Sequence, residues 1–326
     1  MILIKFMTKR ILLKLIKNNN LLSIFKSVFN LLGKKNYLYN IIYNKRFDKL
    51  SYSEKKFIIE VQFENMVNYK LNLNNPKSFN EKIQWLKLYY KNPLITKCSD
   101  KVKVREYIAE NIGKKYLIPI YGIYSSVEEI NFSALPNSFV IKTNWGSWQN
   151  IIVKDKRELD ENSTNNIISN WMNIKYNHYY RFLEWGYKNI PPRIIIEEYI
   201  DDNNISDYKF FCYNGNVKNM FIVQDRYKND GMKVTFFDKN FSRLPFKRKY
   251  PNNENKIKKP NNWDEMIIIS EILSKPFPFV RVDLYEYNKK VLFGEMTFYP
   301  GNGTEKFYPV EWDYILGDMI TLPNKV

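Results

Sequence analysis

Apolar and polar positions along this chain follow two different periods. Between Asn80 and Tyr90, Ile83, Trp85, Leu86, Leu88 and Tyr89 recur at the spacing of an amphipathic helix. A second helix is expected over DKVKVREYIAENIG, opened by Asp100 as its cap and stopped at Gly113. The pattern then changes to short β-rich runs. Leu117 to Tyr124 is apolar, and Ser138 to Lys142 reads as a strand joined through a polar turn at 143–149 to Asn150–Val153. Residues 160–178 read as helix, and Arg193 to Tyr199 as a buried strand ending in two acids. Tyr208–Tyr213 and Lys218–Gln224 flank Asn214-Gly215, a strong hairpin signal, and Met232–Phe237 adds a further strand. Residues 243–262 are loop-like, 263–274 helical, and Phe279–Tyr285 pairs with Lys290–Phe298 before Pro300-Gly301-Asn302-Gly303 turns the chain away. Sheets of mixed or antiparallel strands with helices laid against them predict an α+β architecture.

Residues 1–35 break this order. Ile24, Phe25, Val28, Leu31 and Leu32 lie at helical spacing among Lys26, Lys34 and Lys35, but no apolar run approaches the ~20 residues that cross a bilayer. No small-residue cleavage site follows, so a secretory signal is not expected. A basic amphipathic helix of this kind suits an anionic membrane surface; packing on the body or on a partner subunit suits it equally. The net charge of +17 comes from 51 Lys and Arg against 34 Asp and Glu, and residues 1–50 hold eleven of those bases and one acid. Lysine, asparagine, isoleucine and tyrosine are abundant everywhere, and no reading motif accompanies the charge, so no nucleic-acid partner is expected.

Two cysteines, Cys98 and Cys212, lie too far apart for a Cys-x-x-Cys pair, which fits a reducing cytoplasm and excludes a disulfide framework or a cysteine zinc site. The one histidine, His178, sits in an aromatic stretch and reads as a packed structural residue. Chemistry is therefore sought among carboxylates, lysines and arginines.

The sharpest group is VRVDLYEYNKKVLFGEMTF, in which Asp283 and Glu295 lie 12 residues apart on two strands joined by a turn. If those strands pair, both carboxylates face one side and converge as hard oxygen ligands suited to Mg2+. Arg281, two residues from Asp283, shares that side and can clamp a phosphate. An ion pair on a solvated hairpin face would use the same residues. Lys142 ends a strand before TNWGSWQ, where backbone amides beside a lysine can cradle phosphates.

The order of these features, a strand lysine with its hairpin, an EEYI strand end, Asp-x-Lys, then Arg-x-Asp and Glu, resembles ATP-grasp enzymes. The resemblance is closest to the TupA-like, teichuronopeptide-biosynthesis branch from about Asn75 to Leu322. It is carried by NPKSFNEKIQWLKLYY, SDKVKVREYI, LPNSFVIKTNWGS, EWGYKNIPPRIIIEEYI, DYKFFCYNG and PFPFVRVDLYEYNKKVLFGEMTFYPGNGTEKF. It implies two lobes clasping ATP, with 1–50 as the helical arm, 51–135 an N-terminal region, 136–200 the first lobe and 201–326 the second. By resemblance, Lys101 and Lys142 touch phosphates, Gly146 and Ser147 close over them, and Glu197, Glu198, Tyr199 and Ile200 form the adenine hinge. Asp207 lies near the ribose and Lys209 near the phosphates or reacting group. Asp283 and Glu295 hold Mg2+, and Arg281 stabilises the transferred phosphoryl group. Arg226 and Asn302 are candidates for the acceptor site.

Two departures stand out. The family loop usually reads like His-Gly-Ser-Gly-Gly, where this chain has Trp145-Gly146-Ser147-Trp148-Gln149, and Thr297 stands where many ATP-grasp enzymes place asparagine. The function implied is ATP-dependent joining of a carboxylate to an amine. A cell-surface polysaccharide or lipid-linked saccharide is the expected acceptor, an amine or amino acid the co-substrate, and the inner face of the cytoplasmic membrane a suitable place. The alternatives are a glycosyltransferase, for which the body shows no convincing Asp-x-Asp donor motif, a sugar phosphotransferase sharing the ATP site, and a non-catalytic binding protein.

Overall fold

The computed structural model describes residues 50–174, 177–200, 206–224 and 231–324. The arm, Asp201, Asp202 and Arg226 lie outside the described residues. The chain divides into two compact units, Met1–Lys70 and Leu71–Val326. In the first, helix α1 (Tyr52–Val67) opens on a capping box: Ser51 Oγ accepts from the Glu54 N–H and Glu54 Oε2 from the Ser51 N–H. No helix among the described residues is long and apolar enough to cross a membrane.

The second unit starts with α2 (Phe79–Tyr89), whose capping box pairs Ser78 with Glu81. Helices α3 (Pro93–Ser99) and α4 (Val104–Asn111) follow. The expected Asp100 cap is not made. Its carboxylate accepts from the Val102 N–H at 2.8 Å and from Asn144 Nδ2 at 2.9 Å, closing a turn instead, and α4 starts four residues later. The turn is tied to a residue far away in sequence: Asn144 Nδ2 shares the Asp100 oxygen that accepts from Val102, and the Asn144 carbonyl takes the Lys101 N–H at 3.0 Å.

Two antiparallel sheets form the body. The first contains β1 (Ile120–Tyr124), β2 (Phe139–Thr143), β3 (Asn150–Val153) and β4 (Ile194–Glu198), in the order β1-β4-β2-β3. Its buried side packs Phe139, Ile141, Ile194 and Ile196 against Ile168 of α5 (Glu161–Trp171) and against Val127, Phe132 and Leu135. The helix expected over 160–178 stops at Trp171. A new one, α6 (His178–Phe182), begins where Asn177 Oδ1 accepts from the Tyr179 N–H at 2.8 Å.

The second sheet contains β5 (Ser206–Tyr213), β6 (Asn216–Gln224), β7 (Lys233–Asp238), β8 (Phe279–Tyr287) and β9 (Lys290–Thr297), in the order β7-β6-β5-β8-β9. The two-residue period explains both of its faces. Phe210, Cys212, Val280, Val282 and Leu284 point one way and are buried, with Trp263 of α7 (Trp263–Ser274) against Phe210 at 5.5 Å between ring centroids. The opposite face changes character along the strands. Phe211, Tyr213 and Phe279 are covered by Phe79 of α2, at centroid distances of 6.0, 6.5 and 5.0 Å. Asp207, Lys209, Arg281 and Asp283 continue that face beyond the aromatic cover. Helix α8 (Glu311–Asp318) packs on α2, where Asp313 accepts from both the Asn80 N–H and Asn80 Nδ2.

Candidate functional site

Strand register builds the charged end of the second sheet. Lys209 on β5 faces Asp283 on β8, which faces Glu295 on β9, so three charged residues stand in one row. The neighbouring row places Arg281 opposite Thr297. A bulge follows Asp283, because Leu284 pairs with Phe293 and leaves Gly294 unpaired. A side chain at Gly294 would lie 2.9 Å from the Tyr285 ring and 3.0 Å from the Asp283 carbonyl, so this close approach demands glycine.

Every charge in the rows is answered. Arg281 Nε lies 2.6 Å from Asp283 Oδ1, and its Nη2 reaches Asp283 Oδ2 at 2.7 Å, Glu295 Oε1 at 3.0 Å and Thr297 Oγ1 at 2.9 Å. Lys209 pairs with Asp283 and, at 3.0 Å, with Asp207. Burial pushes the Asp283 carboxyl up, against the pull of Arg281 and Lys209. Burial would raise Glu295 too, but Lys101, Arg281 and Lys209 together hold it down at about 2. Asp283 is fully buried while the Glu295 side chain is 40% exposed, so Glu295 is the acid that meets solvent.

The donor set fits magnesium. Arg281 Nη2 lies within 3.0 Å of both carboxylates, so the two acids already converge on one positively charged position. Two hard carboxylate oxygens are what a protein usually offers Mg2+, the remaining shell being phosphate and water. Among the described residues no group of three or more His, Cys, Asp or Glu side chains gathers, so an all-protein cage is not what these residues offer.

Two cations accompany the first sheet, Lys142 on β2 and Lys101 in the turn between α3 and α4. Lys142, near the end of β2, pairs with Glu197 on β4. Lys101 donates to the Gly146 carbonyl at 2.8 Å. Burial lowers its pKa, against the pull of Glu295 and Glu197. The loop between β2 and β3 divides the two unusual tryptophans. Trp145 is buried, whereas Trp148 is 75% exposed at φ 61°. Gln149 bonds Thr143 Oγ1 beneath Gly146, and a side chain added at Gly146 would come within 2.0 Å of that glutamine. Ser147 is exposed. At the expected hinge, the Glu198 N–H donates to the Pro119 carbonyl at 2.9 Å, and Lys154 lies 5.7 Å over the Tyr199 ring. Ile200 follows just beyond the strand.

Sequence reasoning missed the residue that ties these parts together. Asn144 is fully buried; its Nδ2 donates to Asp100 Oδ1 at 2.9 Å and the Pro191 carbonyl at 3.0 Å, and its Oδ1 accepts from the Arg193 N–H at 2.9 Å. One side chain thus joins the Lys101 turn, the β2–β3 loop and the entry to β4. Its only sequence signal is an asparagine directly after a strand. Asn144→Ala leaves buried partners unsatisfied and is expected to cost about 2–4 kcal/mol, read as a lower urea midpoint at unchanged slope.

Asn302 belongs to a second polar group that the sequence did not reveal. Lys87 of α2 donates to Asn302 Oδ1 at 2.6 Å and Gln84 Oε1 at 2.9 Å, and Gln84 Nε2 donates to the carbonyls of Asn302 and Gly303. These contacts pin a turn whose residues 301–303 all have positive φ. Burial lowers the Lys87 ammonium to about 7, opposed by Glu184. The unfolded chain binds a proton there up to the ordinary lysine value, so stability should rise with pH from about 7 toward 10, by at most about 1.4 kcal/mol per pH unit. Thermal melts of wild type minus Lys87→Met across that window should show the rise; a flat difference would contradict it.

His178 packs as expected, its ring 4.8 Å from Tyr187 and 5.8 Å from Phe182, but it also has an acid partner, Glu184.

A search of curated proteins finds no match. Among solved structures, a D-alanine–D-alanine ligase from Bacillus anthracis aligns at 17% identity and TM-score 0.40, over 67% of this chain and 64% of that one. The chain therefore spans just under two thirds of that ligase. The corresponding ligase from Helicobacter pylori gives 14% identity and TM-score 0.41 over 76% and 70%. The biotin carboxylase domain of the Hydrogenobacter thermophilus 2-oxoglutarate carboxylase gives 15% and 0.41 over 71% and 48%. The family model described as TupA-like ATPgrasp matches residues 81–321, which takes in both sheets and every charged residue of the rows above, and so this chain belongs to the TupA-like ATP-grasp family.

Proposed function

We propose that the chain is an ATP- and magnesium-dependent carboxylate–amine ligase that modifies a cell-surface polysaccharide or its precursor, joining an amine or amino acid to a uronic acid. The observation that carries this reading is the Lys209–Asp283–Glu295 row with Arg281 across it, together with Lys142 on the first sheet and Lys101 in the turn before α4, which donates to the Gly146 carbonyl of the β2–β3 loop. Cations and paired acids are what a triphosphate with a divalent ion requires.

In this reading Lys101 and Lys142 hold the phosphates, and Gly146 and Ser147 lie over them. Glu197 to Ile200 border the adenine, with Asp207 toward the ribose. Asp283 and Glu295 would hold Mg2+, which supplies charge neutralisation at the phosphate oxygens. Arg281, held by Asp283 and Glu295 through Nε and Nη2, lends its charge to the phosphoryl group as it moves to the acceptor carboxylate, and Lys209 steadies the Asp283 side of the row. Activation as an acyl phosphate makes chemical sense, since a free carboxylate is a poor electrophile toward an amine. The saccharide acceptor and the inner membrane surface rest on the family resemblance and on the basic arm.

The test is ADP and phosphate release from Mg-ATP across a panel of uronic acids and amines. Amine-dependent release of both products is expected. Consumption of a UDP-sugar without ATP would support a glycosyltransferase instead, and phosphate retained on the sugar a phosphotransferase.

A further inference from the structure

The charged row of the second sheet has a neighbour that, Asp207 apart, the phosphate and metal reading does not use. One step along the strands, register sets Val223 of β6, Asp207 of β5, Tyr285 of β8 and Leu292 of β9 side by side. Tyr285 is two residues from Asp283 and Asp207 two from Lys209, so this row shares the face of the charged one. Asp207 is tied to Lys209 at 3.0 Å, and the other three side chains are apolar or aromatic. Val223, Tyr285 and Leu292 are each half-buried, whereas Phe211, Tyr213 and Phe279 at the far end of the face are covered by Phe79 of α2.

The β9 bulge decides where the Tyr285 ring goes. At Gly294 the place of a side chain is already taken: an added Cβ would lie 2.9 Å from Tyr285 Cε2 and 3.2 Å from its Cζ. The ring therefore crosses from β8 toward β9 and lies along the sheet next to Glu295, instead of standing away from the surface. A glycine inside a strand weakens it and marks a place where another group comes close. Here that group is a phenol ring, seated beside the carboxylate that meets solvent.

We infer that Tyr285, seated on Gly294, is the wall on which the base of the nucleotide stacks. This rests on the ATP-binding part of the ligase reading above. A nucleotide is charged at one end and flat and weakly polar at the other, and the two rows present the same contrast in the same order. With the phosphates over Lys209, Asp283 and Glu295, two residues of extended chain, about 7 Å, lead to Asp207 and Tyr285, a step that a ribose spans. Glu197 to Ile200 then border the edge of the base while Tyr285 takes its face. Stacking of this kind depends on the ring and not on the hydroxyl.

Calorimetric titration with Mg-ATP and with Mg-tripolyphosphate, which has no base, separates the two rows. Tyr285→Ala should weaken Mg-ATP binding about tenfold or more and leave Mg-tripolyphosphate binding unchanged, while Tyr285→Phe keeps wild-type affinity for both. Should Tyr285→Ala lose its cooperative urea transition, Tyr285→Leu keeps apolar bulk without an aromatic face and carries the same comparison. An equal loss for both ligands would make Tyr285 a structural support of the charged row, and a loss in Tyr285→Phe as large as in Tyr285→Ala would assign the effect to the hydroxyl; either overturns the inference. Wild type that binds neither ligand would sink the ligase reading itself. ATP bound by wild type and equally well by Tyr285→Ala would remove the stacking wall alone.

Discussion

Asp283→Asn is expected to abolish turnover while also lowering stability, and the two effects have separable causes. The carboxylate is fully buried and pairs with both Arg281 and Lys209, and in the ligase reading it would hold the metal. Neutralising it removes one of two acidic ligands, so turnover should fall by about 10³-fold or more, the scale of losing a metal's charge stabilisation. It also leaves two buried cations without their shared counter-charge, at a cost of about 3–5 kcal/mol. Glu295→Gln separates these effects. That side chain is 40% exposed, so its loss should leave the urea midpoint nearly unchanged while activity falls as far. A fully active Asp283→Asn protein would show that the row is structural.

Arg281→Met is expected to give the other large effect. The guanidinium meets Asp283, Glu295 and Thr297 through Nε and Nη2, and lies 5.8 Å over the Phe221 ring. If it stabilises the phosphoryl group in transit, turnover should fall about 10³- to 10⁵-fold with little change in ATP affinity. Arg281→Lys keeps the charge but loses the planar fork, and should recover stability more than activity. Steady-state ADP release and urea unfolding on the three proteins check this. Weaker ATP binding in proportion to the lost rate would assign Arg281 to ground-state binding.

Local pattern made the second sheet legible. Alternation along β8 and β9 put Arg281, Asp283 and Glu295 on one side, and the register bears that out, with Asp283 directly opposite Glu295. The Asn214-Gly215 hairpin and helix α7 were equally readable, because their determinants lie within a few residues. What was missed is non-local. The Asp100 turn looks like a helix cap in sequence because its partner, Asn144, is 44 residues away. Lys87 gave no sign of its role, since Asn302 lies 215 residues on. The Trp145 and Trp148 departure announced a changed loop, but only packing decided which ring turns inward. His178 was legible as packed and not as paired, because α6 is a short element that the expected long helix concealed.

The central claim is that Glu295 and Asp283 bind magnesium together with ATP held by Lys142 of the first sheet and Lys101 of the α3–α4 turn. Calorimetric titration of ATP into wild type and Glu295→Gln, each with and without Mg2+, tests it most directly. The account predicts that Mg2+ tightens ATP binding at least about tenfold in wild type, roughly 1.4 kcal/mol, and leaves the variant unaffected. An equal magnesium effect in both proteins, or no ATP binding by wild type, would contradict it.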